Sequence, residues 1–100
     1  MKSLLFVIFI FIATACETIP PPLESYTLAR TAIVYATKVK AARYSPGNWH
    51  KAENYFRQAE RMFRNKEYEK ADKLFKLARD HAEKAENIAR LKIQAETGGY

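Results

Sequence analysis

The sequence predicts an all-α fold: a three-helix antiparallel bundle carried behind a signal peptide and a proline-rich tether. Three observations predict it. Apolar residues recur at three- and four-residue spacing from about Glu24 to Glu96. Only two short breaks interrupt them, Tyr44-Ser45-Pro46-Gly47 and Asn65-Lys66. Acid precedes base by four residues at Glu53→Arg57, Glu60→Arg64, Glu69→Lys73, Asp72→Lys76, Asp80→Lys84 and Glu86→Arg90. That orientation adds about 0.2–0.5 kcal/mol per pair on an exposed helix. Short connections make consecutive helices antiparallel neighbours.

The first helix is expected from Glu24 to Arg43, with Leu28, Ala32, Tyr35, Val39 and Ala42 as its inner face. Tyr26, Ile33, Val34 and Tyr44 fall on other sides. A helix apolar around most of its circumference wants a second partner, so these four are candidate partner-binding residues. Fuller wrapping by the bundle is the alternative for all of them. Ser45 followed by Pro46 reads as an N-cap and first helical position, so a second helix starts there. Its stripe is Trp49, Ala52, Tyr55, Phe56, Ala59, Met62 and Phe63. Trp49 is a further candidate for partner binding, with packing at the helix start as the competing role. The third helix runs from about Glu67 to Glu96 and stops before Gly98-Gly99. Ala71, Phe75, Ala78, Ala82, Ala85 and Ala89 form a small-residue seam, with Leu74, Leu77, Ile88 and Leu91 beside it. So wide an apolar arc suits two neighbours, and alanine lets their backbones come close.

Ahead of this domain, Lys2 precedes an unbroken apolar run from Leu4 to Ile12, and Ala13-Thr14-Ala15 supplies small residues. That is the layout of a secretory signal. Leu4 to Ala15 spans roughly 18 Å as a helix, short of the roughly 30 Å hydrocarbon core, so a transmembrane anchor fits poorly. The only cysteine, Cys16, follows directly. Small residues ending on a cysteine resemble the lipobox of bacterial lipoproteins, although Ala13 stands where leucine is more usual. The resemblance implies cleavage before Cys16 and covalent diacylglycerol and N-acyl lipid, typically palmitate, on that residue. Glu17 rather than aspartate then implies the outer membrane, facing the periplasm. Pro20-Pro21-Pro22 favours polyproline II, so residues 17–22 would form a spacer of roughly 19 Å at about 3.1 Å each. The expected organisation is residues 1–15 as signal, 16–23 as acylated cysteine and tether, 24–97 as helical bundle and 98–100 as tail.

Cleavage would leave 85 of the 100 residues, enough for one small domain with no cysteine pair to staple it. The whole chain carries net charge +6, and losing Lys2 makes it +5. A basic surface suits nucleic acid, anionic lipid or an acidic polymer, and export removes nucleic acid. Interleaved acids favour a plain solvated surface. Arg57, Arg61 and Arg64 form a weak candidate strip for a polyanion, partly neutralised by Glu53 and Glu60. His50 with Glu53 is at most half a metal site, since such sites need three or four ligands. His81 reads as a packed boundary residue. Neither a nucleophile elbow nor a phosphate-cradling glycine loop is present, so no catalytic residue, metal or cofactor beyond the lipid is expected.

Trp49-x-Lys51-Ala52-Glu53-x-Tyr55-Phe56-Arg57-x-Ala59 aligns with Tyr68-x-Lys70-Ala71-Asp72-x-Leu74-Phe75-Lys76-x-Ala78. The pattern resembles a tetratricopeptide repeat, of which this chain supplies about one and a half. Taken with the lipobox, Tyr44-Ser45-Pro46 and Asn65-Lys66-Glu67-Tyr68-x-x-Ala71 resemble a family of small Gram-negative lipoproteins whose helical domain has no assigned activity. The resemblance implies a non-catalytic envelope protein. It is expected to act as a structural or adaptor element, with an envelope protein or a second copy as partner. The alternative is a module that binds peptidoglycan or anionic lipid through its basic helix surface.

Overall fold

The computed structural model describes residues 19–98, so the signal region and Cys16 lie outside the described residues. Four helices make up the described residues: α1 (Leu23–Lys38), α2 (Ala41–Tyr44), α3 (Pro46–Arg64) and α4 (Tyr68–Glu96). The architecture is all-α, with no strand among the described residues. Ser25 of α1 meets Asp72 of α4, and Tyr44 of α2 meets Glu96, so α1 and α4 run in the same direction. Asn48 of α3 meets His81, and Phe63 meets Tyr68, so α3 runs against both.

The long first helix expected from the sequence is in fact broken. Lys40 adopts a left-handed conformation (φ 58°), and its N–H bonds to the Thr37 carbonyl at 3.0 Å. That closes α1 at Lys38 and restarts the chain as the single turn α2. Neither glycine nor proline marks this break. α3 begins as its sequence suggests, with Pro46 in the first turn. Ser45 contributes through its backbone: its carbonyl accepts from Trp49 N–H at 3.0 Å, and its side chain makes no capping bond.

The end of α3 is a Schellman motif. Lys66 is left-handed (φ 60°), its N–H bonds to the Phe63 carbonyl at 3.0 Å, and Glu67 N–H reaches the Met62 carbonyl at 2.8 Å. Glycine adopts this conformation without the steric cost a lysine Cβ carries. Lys66→Gly is therefore expected to stabilise the domain by about 0.5–1 kcal/mol, read as a higher urea midpoint at unchanged slope. At the far end of α4, Gly98 takes the same left-handed conformation (φ 80°) after the closing residue Thr97.

The core is built on α4. It packs along both α1 and α3, whose own backbones approach each other far less. Three layers stack between the helices. Nearest the tether are Ala29, Ala59, Ala71, Phe75 and Ala78. In the middle, Ala32, Ala52 and Ala82 bring one alanine from each long helix to a single point. At the far end are Ala36, Ala41, Trp49, Ala85 and Ala89. Alanine lets backbones approach closely, and larger rings fill the ends where the helices splay.

This seam corrects the expected inner face of α1. Its buried residues are Ala29, Ala32 and Ala36, while Leu28, Tyr35 and Ala42 are exposed and Val39 is half-buried. The helix is rotated so that small residues meet the alanines of α4. Leu28 and Tyr35 are too large for that contact and sit at its margin.

The expected ion pairs divide by helix. Those of α4 form: Glu69–Lys73 at 3.7 Å, Asp72–Lys76 at 2.8 Å, Asp80–Lys84 at 3.1 Å and Glu86–Arg90 at 2.9 Å. Glu67–Lys70 and Arg79–Glu83 join them. Glu53–Arg57 and Glu60–Arg64 of α3 do not come within ion-pairing distance among the described residues. Pairs this exposed add little stability, so their main effect is to neutralise α4 and leave the cations of α3 unmatched.

Candidate functional site

The surface of α1 follows from how it is buried. Because alanines make its closest contact, several of its larger apolar side chains face outward: Leu23 is 63 %, Leu28 37 %, Val34 45 % and Tyr35 49 % exposed. Leu28 and Tyr35 are seven residues apart and share a face. Val34 lies on another side, on the rim of a groove of about 260 Å³ whose other walls include Arg30, Ile33, Phe56 and Arg57. A second groove, about 330 Å³, opens between Leu23, Tyr26, Phe63, Arg64 and Phe75. A wider trough of about 590 Å³ runs between the tether residues Ile19–Pro22 and the start of α4.

The residues expected to bind a partner are placed differently from one another. Tyr26 turns inward, its ring 5.7 Å from Phe56 and 5.5 Å edge-on to Phe75, while its hydroxyl accepts from Arg30 at 3.2 Å. Trp49 is buried at 8 % exposure in the far layer. Ile33 bridges the middle and far layers, half-buried. Tyr44 packs on the far layer and donates its hydroxyl to Glu96 Oε2 at 3.0 Å. Val34 alone of these five is exposed. Tyr26 and Trp49 are instead the aromatic plugs at the two ends of an alanine-lined core. Leu23, Leu28 and Tyr35 are the exposed residues that hydropathy reading missed. The seam on α4 carries the signal that finds them, because only Ala29, Ala32 and Ala36 match its spacing.

Arg57, Arg61 and Arg64 are all exposed on α3. Arg57 and Arg64 border separate grooves, each beside a glutamate, Glu53 and Glu60. His50 is exposed. His81 is half-buried, stacked on Tyr55 at 5.5 Å with Nδ1 3.2 Å from Asn48 Oδ1. Among the described residues, no group of three or more His, Cys, Asp or Glu is placed to hold a metal ion. No described helix is long and apolar enough to cross a membrane.

Three polar contacts pin α1 and α2 to α4. Asp72 pairs with Lys76 and accepts from the Ser25 hydroxyl, and these two bonds, Lys76 first, hold its carboxyl below the usual range. At the other end, Lys92 Nζ donates to the Tyr44 carbonyl. The bond to Glu96, then burial, raises the Tyr44 phenol above its ordinary value.

A small all-helical domain, closed by an alanine seam with aromatic plugs at its ends and bearing Leu28, Val34 and Tyr35 on its surface, is the class these features define. The chain belongs to the family described as Domain of unknown function (DUF4398), whose family model matches residues 24–97. Compared with curated proteins and with solved structures, the chain matches none.

Proposed function

We propose that this protein is a non-catalytic lipoprotein of the Gram-negative envelope. Lipid on Cys16 holds it in the outer membrane, and its helical domain faces the periplasm as a structural or adaptor element. The domain is read as a three-helix bundle in which α3 and α4 form a tetratricopeptide-like hairpin and α1 lies along α4. The observation that carries an adaptor role is the exposure of Leu28, Val34 and Tyr35 on a helix already seated through Ala29, Ala32 and Ala36, with Tyr26 and Ile33 beside them. Large apolar groups on a monomer surface favour a further protein contact. The lipobox-like run ending at Cys16 supports the envelope location, and several acyl chains would make that attachment durable.

Photo-crosslinking in cells tests this. A photoreactive residue is placed in turn at Leu28, Val34 and Tyr35, with Asp80 on the opposite helix as control. The expected result is one discrete protein adduct shared by Leu28 and Tyr35 and absent from Asp80. An adduct to a second copy would make the protein a homo-oligomeric envelope element. Absence of any protein adduct at all three positions, in folded protein, would contradict the adaptor reading.

A further inference from the structure

The charge of this chain is not spread evenly, although its composition suggests so. Residues 25–52 contain Arg30, Lys38, Lys40, Arg43 and Lys51 and not one aspartate or glutamate. The fold gathers most of these at one end. α1 finishes at Lys38, Lys40 forms the turn, α2 carries Arg43, and Lys51 lies early in α3. All four side chains are exposed, and none has a carboxylate within ion-pairing distance among the described residues.

The nearby acids of α4 are already engaged. Glu86 pairs with Arg90, Asp80 pairs with Lys84, and Glu96 accepts the Tyr44 hydroxyl. Two of the cations are also pre-positioned. Lys38 Nζ lies 5.2 Å from the centre of the Tyr35 ring, and the Arg43 guanidinium 5.4 Å from that of Tyr44. α2 is itself held against α4 through Tyr44, Glu96 and Lys92. Lys38 in the last turn of α1 also suits the helix dipole. Lys40 and Lys51 gain nothing from that dipole, so helix stability does not explain the group.

The opposite end differs. There Glu24, Glu60, Glu67, Glu69 and Asp72 accompany the cations, and the arginine strip of α3 has Glu53 and Glu60 beside it. The end where α1 and α2 carry no acid of their own, and where the acids are Glu86 and Glu96 of α4, is also the end farthest from the tether. α4 is 29 residues long, which separates the two ends by roughly 43 Å. A chain anchored before Ile19 therefore turns this surface away from its membrane.

We propose that Lys38, Lys40 and Arg43 form a binding surface for a carboxylate-bearing cell-wall polymer, peptidoglycan. Amine and guanidinium groups meet the free carboxylates of its peptides, and the α1–α2 turn presents them at the tip of the domain. Anchored at one end and bound to polymer at the other, the protein would span from membrane to wall. The choice of polymer over lipid rests on the envelope reading above, because the anchor is what orients the tip.

The test is co-sedimentation of the full-length protein, in mild detergent, with purified peptidoglycan sacculi at low and high salt. The variant Lys38→Gln/Lys40→Asn/Arg43→Gln removes the tip charges, with asparagine chosen because it tolerates the left-handed conformation. The variant Arg57→Gln/Arg61→Gln/Arg64→Gln removes the same net charge elsewhere. Salt-sensitive binding that falls about tenfold in the tip variant, and less than about twofold in the control, is the expected result. Equal loss in both variants, no loss in either, no binding by the wild type, or binding to vesicles of anionic phospholipid but not to sacculi would each overturn it. Fatty-acid labelling of Cys16 separates the two readings. Unlabelled protein that still binds sacculi through the tip supports the site while removing the anchor. Labelled protein that ignores sacculi overturns the site alone.

Discussion

Phe75→Ala is expected to be the most destabilising single truncation in the core. Phe75 is the one large side chain that is completely buried among the described residues. Its ring lies 5.5 Å from Tyr26 and 5.4 Å from Phe56, both edge-on, so it joins α1, α3 and α4 in the layer nearest the tether. The neighbouring buried residues, Ala29, Ala59, Ala71 and Ala78, have no longer side chain with which to fill the space it would vacate. Phenylalanine truncations in such sites cost about 3–5 kcal/mol. A domain of this length has a stability of only roughly 4–11 kcal/mol. Urea denaturation followed by circular dichroism reads the effect directly. The expected result is a much lower urea midpoint for Phe75→Ala than for wild type, and a smaller drop for the milder Phe75→Leu. A loss below about 1 kcal/mol for Phe75→Ala would show that the aromatic cluster is not the core.

Ala82→Leu is expected to cost about 3 kcal/mol or more, although it adds apolar surface to the core. Ala82 is fully buried where Ala32 of α1 and Ala52 of α3 converge. Three added carbons at that point push two helices away from α4 at once, and the larger side chain packed on this cluster is the half-buried, β-branched Ile33. Leu77 on the same helix is 42 % exposed. The opposite change there, Leu77→Ala, is expected within about 0.5 kcal/mol of wild type. Thermal unfolding of the two variants checks the contrast. An Ala82→Leu protein as stable as wild type would mean that the helices are spaced more widely than the alanine seam requires.

Much of this architecture can be read from the chain. Helical spacing gives the helices, Pro46 gives the start of α3, and Asn65-Lys66 gives its end. The seam on α4 stands out as Ala71, Ala78, Ala82, Ala85 and Ala89 at steps that keep one face. Two features resist such a reading for one physical reason each. Hydropathy ranks leucine and tyrosine above alanine, so it turns α1 toward Leu28 and Tyr35, whereas close backbone approach selects Ala29, Ala32 and Ala36. A left-handed lysine costs about 1–2 kcal/mol and leaves no mark in composition, so the break at Lys40 is visible only in the fold. The same bias governs the surface. Tyr26 and Trp49 pack into the two ends of the core, while the acid-free run from Ser25 to Ala52 is evident in the sequence but only the fold brings its Lys38, Lys40 and Arg43 together around the α1–α2 turn.

The most direct measurement is the intact mass of the protein purified from cell membranes. The account predicts a chain that begins at Cys16 and carries diacylglycerol and an N-linked acyl group, and whose Cys16→Ala variant leaves the membrane fraction or stays unprocessed. A mass that begins at Met1, or an unmodified Cys16 in fully membrane-bound protein, would contradict it.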